Sequence, residues 1–428
     1  MIKIIRVEDY SFKQNKNFMN YSDLEPQVKK IIYDVKIKGD KALFEYTERF
    51  DGVKISRLEV TQEEFDDAFR NVEEIFLETL KTALKNIRRF HEKQIISSWQ
   101  TYEENGIILG QKITPLNRIG AYIPGGTAAY PSSVLMTVVP AKVAGVREVI
   151  VVSPPMKNGK INPYTLVAAH EAGADKVFKI GGAQAIAALA YGSDTIPFVD
   201  KIVGPGNIYV TLAKKLVYGD VDIDMLAGPS EILVIADESA NPSFVASDLL
   251  SQAEHDVLAA VYLVTPSYKL ARQVNIEIEK QIKTLSRKDI IVKSLKNRSA
   301  ILVVETIEKA FEVANQVAPE HLELHIKNPF DYIDYIKNAG AIFIGPYSPE
   351  ALGDYLAGPS HVLPTAGSAR YYSGLGVKDF IKHSSIIYCS KKGLKKFSNH
   401  IIKFAEIEGL DAHANSIKKR EEKDKWMF

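Results

Sequence analysis

Along the first hundred residues, apolar side chains recur every three or four positions among charged ones. This holds over 24–38, 41–50 and 61–95 and predicts amphipathic helices, the last segment being long enough for one helix or two. From about Asn117 the texture changes. Short apolar runs at 118–123, 148–152, 176–180 and 201–203 alternate with helical patterns at 134–144, 164–172, 183–191 and 207–217. The alternation resumes with runs at 232–236, 258–264, 299–304 and 341–344 and helical patterns at 242–252 and 307–317. Strand–helix–strand repetition of this kind predicts parallel sheets covered by helices. The fold expected is therefore α/β, with two incomplete Rossmann-like parallel-sheet units and helical N-terminal and C-terminal arms. The divisions fall at residues 1–115 (helical, partly packed on the second α/β unit), 116–230, 231–375 and 376–428. An internal echo supports two related halves: Asp224-Met-Leu-Ala-Gly-Pro-Ser230 returns as Asp354-Tyr-Leu-Ala-Gly-Pro-Ser360, with six of seven residues the same.

Composition narrows the partners. The 428 residues carry 54 basic and 53 acidic side chains, for a formal net charge of +1, which argues against nucleic acid or an anionic membrane as the main partner. A single cysteine, Cys389, excludes an intrachain disulfide and a cysteine-rich zinc site. The N-terminus meets charge after two residues and builds no signal-like apolar run, and no later stretch is long and apolar enough to span a bilayer. The expectation is a cytoplasmic protein.

The parallel-sheet pattern invites a search for phosphate-binding fingerprints, and neither Gly-x-Gly-x-x-Gly nor a P-loop is found. Three glycine turns follow expected strands, Pro124-Gly125-Gly126, Gly181-Gly182 and Gly204-Pro205-Gly206. Each can present backbone N–H groups to a phosphate, and each can equally be a tight strand-to-helix turn. The second half holds sharper chemistry. Gln252 and His255 stand three apart at the end of a helix and share a face. Glu320 and His321 follow Pro319, where a helix breaks and a strand begins; an adjacent acid and imidazole can accept protons near neutral pH. Asp354 lies in a turn-rich segment and His413 near the C-terminus. Two imidazoles, a carboxylate and an amide suit zinc or another borderline divalent ion, although spacing alone ties together only Gln252 and His255. His91, His170, His325, His383 and His400 read as ordinary hydrogen-bonded or surface histidines.

In this order the motifs resemble the histidinol dehydrogenase family. The runs that carry the resemblance are Gly120-Ala-Tyr122-Ile-Pro-Gly-Gly, Gly181-Gly-Ala-Gln184, Val203-Gly-Pro-Gly-Asn207 and Ala227-Gly-Pro-Ser230-Glu-Ile. They continue with Gln252-Ala-Glu-His255-Asp, Ala318-Pro-Glu320-His321-Leu-Glu, Gly353-Asp354-Tyr-Leu-Ala-Gly-Pro-Ser-His361 and Glu408-Gly-Leu-Asp-Ala-His413. They extend from Gly120 to His413, with no departure at the motif positions.

The resemblance implies Gln252, His255, Asp354 and His413 as zinc ligands, one ion per subunit, and Glu320 and His321 as proton acceptors. It implies NAD+ contacts at Tyr122, Gln184 and Asn207. For the substrate L-histidinol it implies contacts at Ser230, Gln252, His255, His321, Asp354, Glu408 and His413. It also implies a homodimer in which the 376–428 arm completes the partner's active site. The implied reaction is oxidation of L-histidinol through its aldehyde to L-histidine, the last step of histidine biosynthesis, with two NAD+ reduced. Cys389 lies outside every motif, so water rather than a thiol is the expected nucleophile for the aldehyde. Other readings of the same residues are a zinc-dependent hydrolase with Glu320 as base, a non-catalytic metal- or ligand-binding protein, and a dehydrogenase of a related amino alcohol.

Overall fold

The computed structural model describes residues 2–12, 22–104, 106–125 and 129–422. Gly126 of the first glycine turn and the last residues of the charged tail lie outside that set. The chain forms two compact units. The larger joins Met1–Ile95 to Leu116–Phe380, and the smaller joins Ile96–Pro115 to Ile381–Phe428.

The larger unit opens with strand β1 (Lys3–Arg6) and helices α1 (Glu25–Lys38), α2 (Asp40–Asp51), α3 (Gln62–Arg70) and α4 (Glu74–Glu92). Strands β2 (Trp99–Tyr102) and β3 (Ile107–Pro115) belong to the smaller unit. Then follow β4 (Arg118–Tyr122), α5 (Pro131–Ala144), β5 (Glu148–Ser153), α6 (Pro163–Ala172), β6 (Lys176–Lys179) and α7 (Gly182–Tyr191). The series closes with β7 (Lys201–Val203), α8 (Ile208–Val217) and β8 (Asp222–Ile223). A second series runs β9 (Glu231–Ala236), α9 (Pro242–Ala253), β10 (Ala260–Thr265), α10 (Tyr268–Gln281), α11 (Lys288–Asn297) and β11 (Ala300–Val303). It continues with α12 (Ile307–Val317), β12 (His321–His325), β13 (Ala341–Ile344) and the short α13 (Glu350–Leu352). The smaller unit ends the chain with β14 (Ile381–Cys389), α14 (Lys391–Ile407) and α15 (Asp411–Glu421).

Two parallel sheets form the larger unit, as the alternating pattern predicts. The first has the order β6-β5-β4-β7-β8, and the second β1-β11-β10-β9-β12-β13. Both are wound alike: three strands are laid outward in one direction, and the next two are placed on the other side of the first. The order therefore reverses between β4 and β7 and again between β9 and β12, the kind of crevice where open α/β sheets bind ligands. The repeated heptapeptide follows the last strand of each series, β8 in one and β13 in the other, so the echo falls at matching places in two matching windings.

Strand alternation sets the core. Val149 and Val151 of β5 enter one apolar cluster, while Ile150 and Val152 enter the cluster on the opposite face. In β9, Ile232 and Val234 face the cluster containing Val245, Leu249 and Leu250 of α9, whereas Leu233 and Ile235 face the side of α12. Each fully buried large aliphatic side chain is worth about 1.5–3 kcal/mol. Helices α1 and α2 supply Val28, Ile31, Val35 and Leu43 to one face of the first sheet, and α4 supplies Leu80 and Ile87 to the other.

The expected helical stretch at 61–95 is two helices. A capping box between Thr61 and Glu64 starts α3, and Asn71 closes it before α4 begins. The start of the chain corrects the wholly helical reading of the first hundred residues, because β1 pairs in parallel with β11 as an edge strand. Four residues are too few to reveal a period. In the smaller unit, β14, β3 and β2 form an antiparallel sheet. Helices α14 and α15 follow that sheet.

Candidate functional site

Strand β12 reads His321-Leu-Glu323-Leu-His325. Its period of two sends Leu322 and Leu324 into the core on the α12 side and the three polar residues to the α9 side. Before it, Ala318 takes a left-handed φ of 53° and Pro319 ends the helix, so Glu320 and His321 enter the sheet at the mouth of the β9–β12 reversal.

One residue of β9 fixes both. The amide of Glu231 donates to Oε2 of Glu320 at 2.9 Å, and its carbonyl lies 3.2 Å from Nδ1 of His321. Carboxylate oxygens of Glu320 and Glu350 stand 3.8 Å from the same nitrogen. The Glu231 carbonyl is the acceptor within hydrogen-bond distance of Nδ1 and favours a proton there, which leaves Nε2 its lone pair. Nε2 is buried and has no hydrogen-bond partner among the described residues; Asp354 Oδ1 is 3.9 Å away. Burial holds the His321 imidazole neutral, with its pKa lowered to about 3. Burial also raises the Glu320 carboxyl well above the ordinary carboxylate range, helped by the charges of Glu231 and Asp354 and opposed by the Glu231 N–H.

Helix α9, capped by the Asn241 side chain with Pro242 in its first turn, carries Asp248 and Gln252 on one face; His255 follows just past its end. The amide nitrogen of Gln252 donates to both oxygens of Glu350 at 3.0 and 3.1 Å and lies 3.0 Å from His321 Nδ1. That orientation turns its oxygen toward Nδ1 of His255, 3.4 Å from this edge of the amide. Asp354 lies in a single π-helical turn, Gly353–Ala357, a distortion frequent at functional sites. Nδ1 of His361 is 3.1 Å from the Asp354 carbonyl, and its Nε2 is 3.3 Å from Ser133 Oγ. Burial raises the Asp354 carboxyl to about 7 and lowers the His361 imidazole to about 4.

His255, Glu350 and Asp354 offer ligand atoms that lie within 4.8 Å of one another. With the inward oxygen of Gln252 they form an N/O donor set of the kind a divalent ion takes. The structure thus brings together Gln252, His255, Asp354, Glu320 and His321, with Ser230 one residue before Glu231. Glu408 and His413 lie in the smaller unit, at the end of α14 and in α15, and are exposed there. Sequence reasoning missed Glu350, His361, Asp248, Glu323 and His325. The alternation His-Leu-Glu-Leu-His in a buried strand, and the four-then-three spacing of Asp248, Gln252 and His255, were signals for the last three and their neighbours.

The nucleotide candidates gather at the carboxyl ends of the first sheet. Tyr122 ends β4, and its hydroxyl accepts from the Gly182 N–H at 3.1 Å; burial pushes its pKa up to about 12. Gln184 is buried in α7, and its Oε1 has no partner among the described residues. Asn207 caps α8, accepting from Tyr209 and Val210. Gly204, at φ 108°, approaches so closely that a Cβ there would lie 2.2 Å from the Tyr122 carbonyl. Behind this turn Lys214 pairs with Asp224 in the core and also donates to the Gly204 carbonyl, while Asp224 accepts from the Gly204 N–H. A bare backbone turn at the β4–β7 reversal, with a buried amide oxygen that has no partner among the described residues, could hold a dinucleotide.

Two doubly wound sheets with a buried imidazole–carboxylate centre at one reversal define an α/β protein with an enzyme-like site. A family model described as histidinol dehydrogenase matches residues 14–421. A protein of Clostridium acetobutylicum named histidinol dehydrogenase is 55% identical over 98% of this chain and 100% of its own length. One from Carboxydothermus hydrogenoformans is 54% identical over 97% and 98%. The crystal structure of histidinol dehydrogenase from Elizabethkingia anophelis superposes with a TM-score of 0.93 at 39% identity, covering 98% of each chain. The chain belongs to the histidinol dehydrogenase family.

Proposed function

We propose that the chain oxidises L-histidinol through its aldehyde to L-histidine, reducing two NAD+. The observation that carries this reading is the single backbone of Glu231 holding Glu320 and His321 side by side. It leaves a buried imidazole whose Nε2 has no hydrogen-bond partner among the described residues, beside His255, Glu350 and Asp354.

Gln252, His255 and Asp354, with His413 from a partner subunit, would hold a zinc ion, one per subunit. Bound there, the ion supplies an anchor for the substrate's imidazole and amine. Tyr122, Gln184 and Asn207 would hold NAD+, which accepts the hydride. In the first oxidation His321 Nε2 takes the hydroxyl proton as hydride leaves the carbinol carbon, giving the aldehyde. Glu320, made more basic by burial, then takes a proton from water as its oxygen adds to the aldehyde carbon, while His321 returns its proton to the carbonyl oxygen, giving the diol and a neutral imidazole again. His321 takes a proton from the resulting diol as the second hydride leaves, and the acid forms. Ser230 and Glu408 would contact the substrate. Cys389 is exposed in the smaller unit and takes no part.

Residues 116–230 would serve the cofactor and 231–375 the metal and the proton transfers, with the 376–428 arm exchanged in a homodimer. The exposed Ile387, Phe404 and Ile407 of that arm support an apolar interface. No described helix is long and apolar enough to cross a membrane. A cytoplasmic enzyme is the reading that the single cysteine supports. Purified protein given L-histidinol and NAD+ tests the reading, and failure to form NADH would overturn it.

A further inference from the structure

Behind the site lies a second cluster of ionisable groups that the reaction does not use. His325 Nε2 stands 3.3 Å from Asp248 Oδ2 and 3.4 Å from Glu323 Oε2, and all three residues are buried. Neither ring nitrogen of His325 makes an aligned hydrogen bond among the described residues, nor does Glu323 Oε2. Glu323 Oε1 accepts the Glu350 N–H at 2.8 Å. Burial works against the charged imidazole, but the two carboxylates outweigh it and raise His325 to about 9.

The placement of these groups follows two periods. On β12, His321, Glu323 and His325 alternate onto one face. On α9, Asp248 and Gln252 are one turn apart, with His255 three residues further. The helix runs back along the strand, so Asp248 meets His325 at one end while Gln252 meets His321 and Glu350 at the other. Gln252 and His321 therefore sit on elements that the cluster ties together, and His255 follows directly after one of them. The Glu323 contact to the Glu350 backbone also reaches the segment that carries Asp354.

We propose that Asp248, His325 and Glu323 form a positioning clamp that sets α9 against β12, and so fixes Gln252, His255 and Glu350 around the metal site. The proposal rests on the metal reading above. The clamp touches no substrate, and it acts as an outer shell that aims inner ligands. Partners of this kind change metal affinity by about 10- to 100-fold when removed. A buried ionic triad is a costly way to gain stability alone, because apolar or neutral replacements often fold as well.

Two variants test it, His325→Gln and the all-neutral Asp248→Asn/Glu323→Gln/His325→Leu. The second leaves no unpaired charge and keeps an oxygen for the Glu350 amide. Zinc affinity is read by chelator competition, melting temperature is recorded alongside, and the ring signals of 13C-labelled histidines are read in the metal-free proteins. The clamp predicts zinc binding about 10- to 100-fold weaker in both variants. It also predicts displaced His255 and His321 signals even where the triple variant melts as the wild type does. Zinc affinity within twofold of wild type, with both signals unmoved, would overturn it. So would two zinc ions per wild-type chain, one of them lost in His325→Gln, which would make the cluster a metal site. If the wild type binds no zinc but the two signals still move, the clamp stands and the metal reading fails.

Discussion

The carbonyl of Glu231 lies 3.2 Å from Nδ1 of His321, while the amide of the same residue donates to Glu320 at 2.9 Å. The two residues proposed as proton acceptors are thus held by one residue of β9, at the reversal between β9 and β12.

That arrangement separates the two acceptors chemically. His321→Asn should lower turnover of both L-histidinol and its aldehyde by about 10²- to 10⁴-fold, the usual worth of a positioned proton acceptor. Glu320→Gln should slow aldehyde oxidation far more than the first hydride transfer. Single-turnover measurements with alcohol and with aldehyde distinguish the steps, and equal losses in Glu320→Gln would contradict the division of roles.

Metal retention gives an independent check. His255→Ala and His413→Ala should each purify with less zinc than the wild type and regain activity only with excess metal. A full zinc complement in both variants by elemental analysis would remove them from the ligand set.

The buried pair behind the Gly204 turn should matter to stability. Lys214 and Asp224 are both buried, and together they hold the Gly204 backbone. Asp224→Asn strands the Lys214 charge and should destabilise by about 3–5 kcal/mol, with a raised KM for NAD+. Urea unfolding of the larger unit reads the first effect, and a loss below about 1 kcal/mol would show that the pair is dispensable.

Stability should also respond to alkali through His325, which Asp248 faces from α9 and Glu323 from its own strand. Its folded pKa is raised to about 9 against about 6.5 for an unperturbed imidazole. A raised folded value means a contribution fully present below about pH 6.5 and lost as pH rises through about 9. Melting temperature should therefore fall between about pH 7.5 and 9.5 in the wild type and fall less in His325→Gln; parallel curves would contradict the assignment.

Much of this was legible in the sequence because the relevant signals are local. Strand–helix alternation gave both parallel sheets, and the positions of Gln252 and His255 follow from helical spacing. What could not be read is set by tertiary packing. The pairing of Lys3–Arg6 with β11 joins residues nearly three hundred positions apart. The strand Ile381–Cys389 sets the polar run Lys-His-Ser-Ser beside Ile386, Ile387 and Tyr388 and is mostly exposed, so no apolar–polar alternation announces its pairing with β3. Glu350 lies in no motif and is held in the site by the Glu323 carboxylate at its backbone and by Gln252 at its side chain. His325 looked like an ordinary histidine until β12 placed it between two carboxylates.

As proposed, the protein removes two hydrides from one substrate at a metal-organised site. This is tested most directly by counting NADH formed per L-histidinol consumed, before and after chelation. About two NADH per histidinol, abolished by the chelator and restored by zinc, is the result predicted. One NADH per substrate with aldehyde accumulating, or no NADH from zinc-loaded protein, would contradict it.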